Sequence, residues 1–358
     1  MSNPEDPARP WGRGAATGVG SMPGDDAGEA TRVVVGELAG FPHLVELPGA
    51  GVGADMIGRA TAHLVGLHAE FGVSGWRFAA HPGVDAGRAR AALDRSLDVL
   101  EEHTQGFAGP LKIQCAGPWT VAASVELRHG DKALADPGAV RDIAASLAEG
   151  VAAVALDVRR RVPGARVVVQ LDEPSLPAAL AGRVPTASGF GTLPTVESVD
   201  AVEKLGLVAA GVVGVEATPI AHCCARDVPI ALLVQAGMRA VSLDAALLTP
   251  RDDDAVGDAV EAGVAFFLGL APSIEPAPGA RPLRARELAA PAVALWSRLG
   301  FAPEALARDV VVTPTCGLAG ASLSWPSRAY RTCAEIARVL VEEPEPARLG
   351  GDGAKETS

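Results

Sequence analysis

Two kinds of segment are missing from this sequence of 358 residues. No uninterrupted apolar stretch reaches the roughly 18 to 20 residues that a membrane-spanning helix needs, which argues against a membrane protein. The amino terminus, MSNPEDPARPWGRG, is acidic and contains proline, and it has no apolar core of the kind found in secretory signals. These absences predict a soluble protein of the cytoplasm.

Positive charge is also scarce. The chain has 31 Lys and Arg residues against 43 Asp and Glu residues, so its formal net charge is −12. A surface with this balance repels phosphate groups, which argues against nucleic acids and anionic membranes as partners. We therefore expect the ligand to be a small molecule.

Cysteine is infrequent, and the number of cysteines is odd. The five are Cys115, Cys223, Cys224, Cys316 and Cys333. In a reducing compartment an odd, small set indicates thiols or metal ligands rather than a disulfide framework.

Apolar residues, in contrast, make up 48% of the chain, enough for a large core. Residues 1–15 and 343–358 are rich in proline, glycine or charge, and we expect disordered tails there around one domain over residues 16–342. Within that domain short apolar runs alternate with helical patterns. The eight predicted strands are Thr17–Gly20, His43–Leu47, Leu111–Cys115, Arg166–Leu171, Glu216–Ala221, Arg239–Leu243, Val264–Leu270 and Asp309–Thr313.

The predicted strands are typical of a parallel sheet with both faces covered, because runs such as VVVQL and VVVT are continuously apolar. Eight strand–helix units in one domain predict an α/β fold, a single (β/α)8 TIM barrel. The alternative is a doubly wound sheet. It lacks support, since the first strand is followed by GVGSMPG and not by G-x-G-x-x-G.

Candidate metal ligands follow three of the predicted strands. His222 and Cys224 extend from a strand end, where residues two apart point to the same side. Cys316 follows the last strand and Asp244 the sixth, and in a barrel these ends share one rim. One imidazole, two thiolates and a carboxylate suit zinc, Zn²⁺. The competing interpretation is that the cysteines and the histidine are ordinary core residues.

Other polar residues on that rim are candidate substrate ligands. Asp172 and Glu173 follow a very apolar strand, where burying a carboxylate is costly without a partner such as an ammonium group. Gly20 and Ser21 offer a backbone N–H and a hydroxyl that suit a carboxylate. The alternative is that each pair is a plain solvated turn.

The rim motifs, in this order, resemble the carboxyl-terminal catalytic barrel of the cobalamin-independent methionine synthase family. The matching pieces are TGVGSMPG, ADMIG, CAGPWT, VVVQLDEPSLP, AHCC, VSLD and TPTCGL, spread over residues 17–330. The resemblance implies a TIM barrel of the uroporphyrinogen decarboxylase and methionine synthase superfamily. Full-length members carry a second barrel, which this chain is too short to contain.

The resemblance also implies roles for individual residues. Zinc would be held by His222, Cys224, Asp244 and Cys316 and would bind the sulfur of homocysteine. Asp172 would bind the substrate ammonium group, and Gly20 and Ser21 the carboxylate. Asp172 and Asp244 are thus the candidate catalytic carboxylates, with Glu173 beside the substrate.

Four positions depart from the family pattern. The zinc carboxylate of the family is usually Glu, whereas residue 244 of this chain is Asp, which is shorter by one methylene. A second carboxylate that helps bind the amino group aligns with residues 48–50, Pro-Gly-Ala. The aromatic residue that stacks on folate aligns near Ser124, and a histidine thought to act as general acid aligns near Ala271. With the folate contacts missing, a methylated corrinoid, free or bound to a protein, becomes a reasonable methyl donor.

Three functions follow as hypotheses. The first is a zinc-dependent S-methyltransferase that methylates a thiol, namely homocysteine, to give methionine. The second is a barrel enzyme like uroporphyrinogen decarboxylase or the corrinoid methyltransferases. The third is a non-catalytic relative that binds zinc or a thiol amino acid.

Overall fold

A computed structural model describes residues 9–344, and the predicted tails outside that range fall beyond the described residues. Its strands are β1 (His68–Gly72), β2 (Gly75–Ala79), β3 (Ala108–Ala116), β4 (Gly164–Asp172), β5 (Thr218–His222), β6 (Ala240–Asp244), β7 (Ala265–Ala271) and β8 (Val310–Pro314). Its α-helices are α1 (Ala27–Glu37), α2 (Met56–His63), α3 (Val84–His103), α4 (Pro118–Ser124), α5 (Pro137–Arg161), α6 (Leu176–Leu180), α7 (Ser198–Gly214), α8 (Ile230–Gln235), α9 (Asp253–Glu261), α10 (Ala285–Leu299), α11 (Leu306–Asp309) and α12 (Trp325–Glu342).

The centre of the fold is a curled parallel sheet of six strands in the order β3-β4-β5-β6-β7-β8. Each strand pairs with the next one in the chain, and helices connect them. The α/β class and six of the eight predicted strands are confirmed. Because all these strands run in one direction, their carboxyl ends lie at one edge, as the sequence argument required.

The helix α5 shows why the connecting segments are helical. Apolar residues recur at helical spacing on its buried side, among them Val140, Ile143 and Leu147. The Asp136 side chain accepts hydrogen bonds from the N–H groups of Gly138 and Ala139 and caps the first turn. Three arginines in the last turn complement the helix dipole.

The first two predicted strands form isolated bridges instead of ladders. Ala16 bridges Val312 of β8, His43 bridges Lys112 of β3, and Ser21 bridges Glu46 between the two segments. Gly20, at the end of the first segment, has a φ of +154°, which departs from strand geometry. A closed ladder of eight strands is therefore not established.

The two faces of the sheet carry different side chains. In β4, Val167, Val169 and Leu171 belong to the large core shared with the helices, whereas Val168 belongs to a separate cluster. We call the face away from the helices the inner face. The apolar cluster on it comprises Trp11, Phe41, Val168, Ile220, Ala240, Ala265, Phe267 and Val311.

Trp11 belongs to the stretch predicted as a tail, and it packs on the inner face of the sheet. It stacks on Phe41 at 6.2 Å between ring centroids and meets Phe267 edge-on at 4.9 Å. Arg9 forms an ion pair with the fully buried Asp309. Arg9 and Trp11 are therefore held against the fold, where Trp11 gains a large buried area.

A short antiparallel hairpin, β1 with β2, was not expected from the sequence. It lies between α2 and α3 and includes Trp76, which is buried. Between residues 9 and 344, none of the helices combines the length and apolar character needed to cross a membrane.

Candidate metal centre

Three side chains converge at the carboxyl edge of the sheet. His222 is the last residue of β5, Cys224 follows two residues later, and Cys316 follows the end of β8 by two. Their ligand atoms all lie within 4.8 Å of one another. The histidine is buried, and the two cysteines are partly exposed. Strands distant in the sequence thus bring one imidazole and two thiols together.

A hydrogen bond fixes the ring of His222. Its Nδ1 is 2.9 Å from Oγ of Ser242, which lies opposite it in β6. With Nδ1 engaged, Nε2 is the nitrogen left for a metal, an arrangement common among histidine ligands.

The two thiols compete for one negative charge. Hydrogen bonding from Cys224, and then from His222, lowers the pKa of the Cys316 thiol to about 4. Hydrogen bonding to Cys316, together with burial, raises the pKa of Cys224 well above its usual range. Deprotonation of one thiol therefore disfavours deprotonation of the other. A divalent cation removes that conflict because it stabilises both thiolates, so the donor set fits zinc.

The remaining cysteines do not belong to this three-residue group. Cys223 is fully buried, and burial raises its pKa to about 12. Cys115 and Cys333 are buried as well. Inert buried thiols of this kind pack as small apolar residues.

Asp244 lies outside the three-residue group. Its Oδ1 accepts a hydrogen bond of 2.9 Å from the N–H of Ala246 and caps the short 3₁₀ helix Ala245–Leu247. The cap engages Oδ1 and leaves Oδ2 of the carboxylate as a further acceptor.

Ser21 lies next to the loop that carries Cys316. Its carbonyl accepts a hydrogen bond of 2.8 Å from the N–H of Leu318. Gly317 leaves room for the hydroxyl, since a Cβ at that position would lie 2.0 Å from Oγ of Ser21. The structure therefore brings Gly20 and Ser21 to the loop that carries Cys316.

Asp172 ends β4 directly opposite His222. Nε2 of Gln170 donates a 2.7 Å hydrogen bond to its Oδ1, and the residue is 7% exposed. Burial raises the pKa of Asp172 to about 7, while the charges of His222 and Lys112 oppose the shift and that of Glu46 adds to it. A ligand ammonium group would be a favourable partner for this carboxylate.

Glu173 has a different environment. Its carboxylate accepts hydrogen bonds from the N–H groups of Trp119 at 3.0 Å and Thr120 at 2.8 Å, and from the Thr120 hydroxyl at 2.7 Å. The residue is fully buried. These bonds hold the start of α4 against β4, and the predicted substrate contact of Glu173 stays a prediction.

Two buried charged residues escaped the sequence analysis. Glu46 follows the apolar run HLV and pairs with Arg59 at 3.3 Å, with both side chains under 10% exposed. Its charge contributes to the raised pKa of Asp172. Lys112 lies in β3 and is fully buried. Both could have been detected as charged residues inside apolar strand runs, because burying a charge is costly unless a partner or a function compensates for it.

Comparison with known proteins gives a fold similarity. The sequence matches no protein-family model and no curated protein. Among solved structures, a B12-independent methionine synthase from Shewanella sp. W3-18-1, determined in complex with selenomethionine, matches with a TM-score of 0.57 and 12% identity. The match covers 92% of this chain and 98% of that one. Similarity at this level of identity shows the fold alone.

Two further solved structures match less well. A D-psicose 3-epimerase is 13% identical and covers 70% of this chain and 84% of its own, with a TM-score of 0.37. An oxaloacetate acetylhydrolase is 12% identical and covers 86% of this chain and 78% of its own, also with a TM-score of 0.37. Scores this low carry no argument about this chain.

Proposed function

We propose that this protein is a zinc-dependent S-methyltransferase that converts homocysteine to methionine. The observation that carries the proposal is the convergence of His222, Cys224 and Cys316 within 4.8 Å at the edge of the sheet where barrel enzymes hold their substrates. The function belongs to this arrangement of side chains, because the fold itself hosts many activities.

The three ligands leave a coordination position for the substrate. Catalytic zinc sites usually have three protein ligands and one open position, whereas structural sites are closed by four. Bound zinc would supply Lewis acidity that lowers the pKa of the homocysteine thiol, giving a thiolate at neutral pH. Asp244 is the proposed fourth protein ligand in the state without substrate, through the oxygen that does not cap Ala246.

The chain's own side chains hold the amino-acid end of the substrate. We place the ammonium group beside Asp172 and Glu46, two buried carboxylates of which the second contributes to the raised pKa of the first. The substrate carboxylate would bind the N–H and hydroxyl of the Gly20–Ser21 segment, beside the loop that carries Cys316. These contacts would orient the sulfur toward the metal ligands and away from water.

The two bridged segments near the amino terminus support the same function. We interpret the two bridged segments, residues 16–21 and 43–46, as the positions of the first two strands of a (β/α)8 barrel. The methionine synthase with the similar fold was determined with selenomethionine, an analogue of the product proposed here.

The donor we propose is a methylated corrinoid, free or protein-bound. Ser124 ends α4, and the fully buried Ala271 ends β7. Neither side chain supplies the aromatic platform or the general acid that the resemblance associates with folate.

The deciding experiment incubates zinc-loaded protein and homocysteine with methylcobalamin or methyl-tetrahydrofolate in parallel and measures methionine. Methionine from the corrinoid supports the proposal. Methionine from the folate alone would overturn the donor assignment. Tight homocysteine binding without methionine from either donor would favour the non-catalytic hypothesis. A uroporphyrinogen decarboxylase-like enzyme would instead be active with the metal removed.

A further inference from the structure

Lys112 is a charged residue that the proposed chemistry does not use. It lies in the middle of β3, is fully buried, and projects toward the amino-acid end of the proposed site. A buried ammonium group is costly unless its surroundings compensate it. Its contacts therefore indicate what it does.

The ammonium group of Lys112 is bonded to the first segment of the barrel. Its Nζ donates to the carbonyl of Val19 at 2.7 Å and to Oε1 of Gln114 at 3.3 Å. The same Val19 carbonyl accepts a bond of 2.9 Å from Nε2 of Gln170, and that nitrogen also donates to Asp172. Lys112 thus reaches Asp172 through one shared carbonyl and one amide.

Gln114 extends the network to the second segment. Its Nε2 donates a 2.7 Å hydrogen bond to the carbonyl of Leu44, two residues before Glu46. Its side chain also lies directly under Gly20, where a Cβ would come within 2.8 Å of the Gln114 amide. We call Lys112, Gln114 and Gln170 the positioning triad.

The charged groups facing Lys112 are those of the site. Burial lowers its pKa to about 8, and the charges of Asp172 and Glu46 oppose this shift. On the other side Lys112 faces His43, whose pKa is lowered to about 3 by burial and by the lysine charge, so the imidazole is neutral. The positive charge of Lys112 thus interacts with the carboxylates of Asp172 and Glu46.

We propose that Lys112 is a positioning residue for the amino-acid end of the substrate. It ties the Val19 carbonyl, and through Gln170 the carboxylate of Asp172, to one fixed point in β3. A zwitterionic ligand needs its ammonium and carboxylate partners at a set separation, and the positioning triad sets that separation. Lys112 itself does not touch the ligand, because it is buried beneath the segment that does.

This inference rests on the proposed function, so its test uses ligand binding and not turnover. Calorimetry would compare methionine with two analogues, one lacking the amino group and one lacking the carboxylate. Zinc-loaded wild-type protein should bind methionine more tightly than either. For Lys112→Met, which preserves volume without the charge, we expect a loss of about 10- to 100-fold for methionine, the range of a charged hydrogen bond. Discrimination against both analogues should fall with it.

The matched control is Thr17→Val. It removes another buried hydrogen bond of the same segment, from Oγ1 of Thr17 to the carbonyl of Phe41 at 2.8 Å, without touching the triad. Discrimination should be unchanged in this variant, and zinc content should be the same in all proteins. A merely structural role for Lys112 would lower stability and leave the discrimination intact, which would overturn the inference.

A second variant covers the case in which Lys112→Met does not fold. Gln170→Met keeps the lysine and cuts its link to Asp172. This variant should no longer distinguish methionine from the analogue without an amino group, but it should still distinguish methionine from the analogue without a carboxylate. If it still distinguishes methionine from both analogues, the inference is overturned. If the wild type itself does not distinguish methionine from the analogues, the proposed function fails instead.

Discussion

The inner face of the sheet has two layers with opposite character. Along β4 and β5, Val168 and Ile220 belong to the apolar layer packed around Trp11, whereas Gln170 and His222 lie two residues further on and belong to the site. Residues two apart on a strand share a face and are separated by about 6.6 Å. Neighbouring inward-facing positions on the same strand therefore have different roles, one in the apolar core and the next in the site. Substitutions in the two layers should accordingly have different consequences.

The largest effect is expected in the polar layer from Cys316→Ser. Loss of a partner behind a metal ligand typically costs about 10- to 100-fold, so loss of the ligand should reduce methyl transfer by at least about 100-fold. Zinc content should fall with it while thermal unfolding changes little. Cys333→Ala, a buried thiol of α12, is the control and should keep its zinc. Full activity in Cys316→Ser would remove the metal assignment.

The apolar layer should respond in stability. Phe267→Ala removes a fully buried ring that packs against Trp11 and Phe41. We expect the free energy of unfolding, measured by urea denaturation, to fall by about 3–5 kcal/mol. The folded variant should retain one zinc per chain. Loss of zinc from the folded variant would show that the layers are not separable.

Asp172→Asn should weaken the ammonium site without emptying the metal site. Replacing a charged partner by a neutral one costs about 1.5–3 kcal/mol, or roughly 10- to 100-fold in the dissociation constant of methionine. Binding of the analogue without the amino group should be unaffected. Equal weakening of both ligands would contradict the role given to Asp172.

Acid should destabilise the protein through His43, which lies between the layers. The folded pKa of about 3 is below the usual value of 6.5, so the unfolded chain binds more protons between these values. Stability is therefore present above about pH 6.5 and decreases as the pH falls toward 3, by about 2 kcal/mol at about pH 5. Its neighbours are Lys112, which adds to the shift, and the Tyr330 hydroxyl at 2.9 Å. Urea denaturation of His43→Gln should show a pH dependence smaller by that amount; an unchanged dependence would contradict the assignment.

The smallest effect is expected for Asp244→Ala. The variant loses a cap, which costs about 1 kcal/mol of stability. Three ligands remain, so zinc content measured by mass spectrometry should stay at one per chain. Complete loss of zinc would identify Asp244 as an indispensable fourth ligand.

Much of the fold and part of the site could be predicted because both depend on local pattern. Continuous apolar runs indicate the six paired strands, and the spacing of His222 and Cys224 places both on one side. What escaped depends on long-range packing. Residues 17–20 and 43–47 have strand-like sequences but form only isolated bridges. Trp11 packs against Phe267, which is far from it in the sequence. The roles of Lys112 and Glu46 depend on their electrostatic effect on Asp172, which belongs to another strand.

The central claim is that two sulfurs and one imidazole nitrogen bind a single zinc ion. The most direct test is the metal content of the purified, folded protein, together with X-ray absorption at the zinc edge. We predict one zinc per chain with two sulfur ligands and one nitrogen ligand from the protein. A folded protein without stoichiometric zinc, or a zinc bound only through nitrogen and oxygen, would contradict the account.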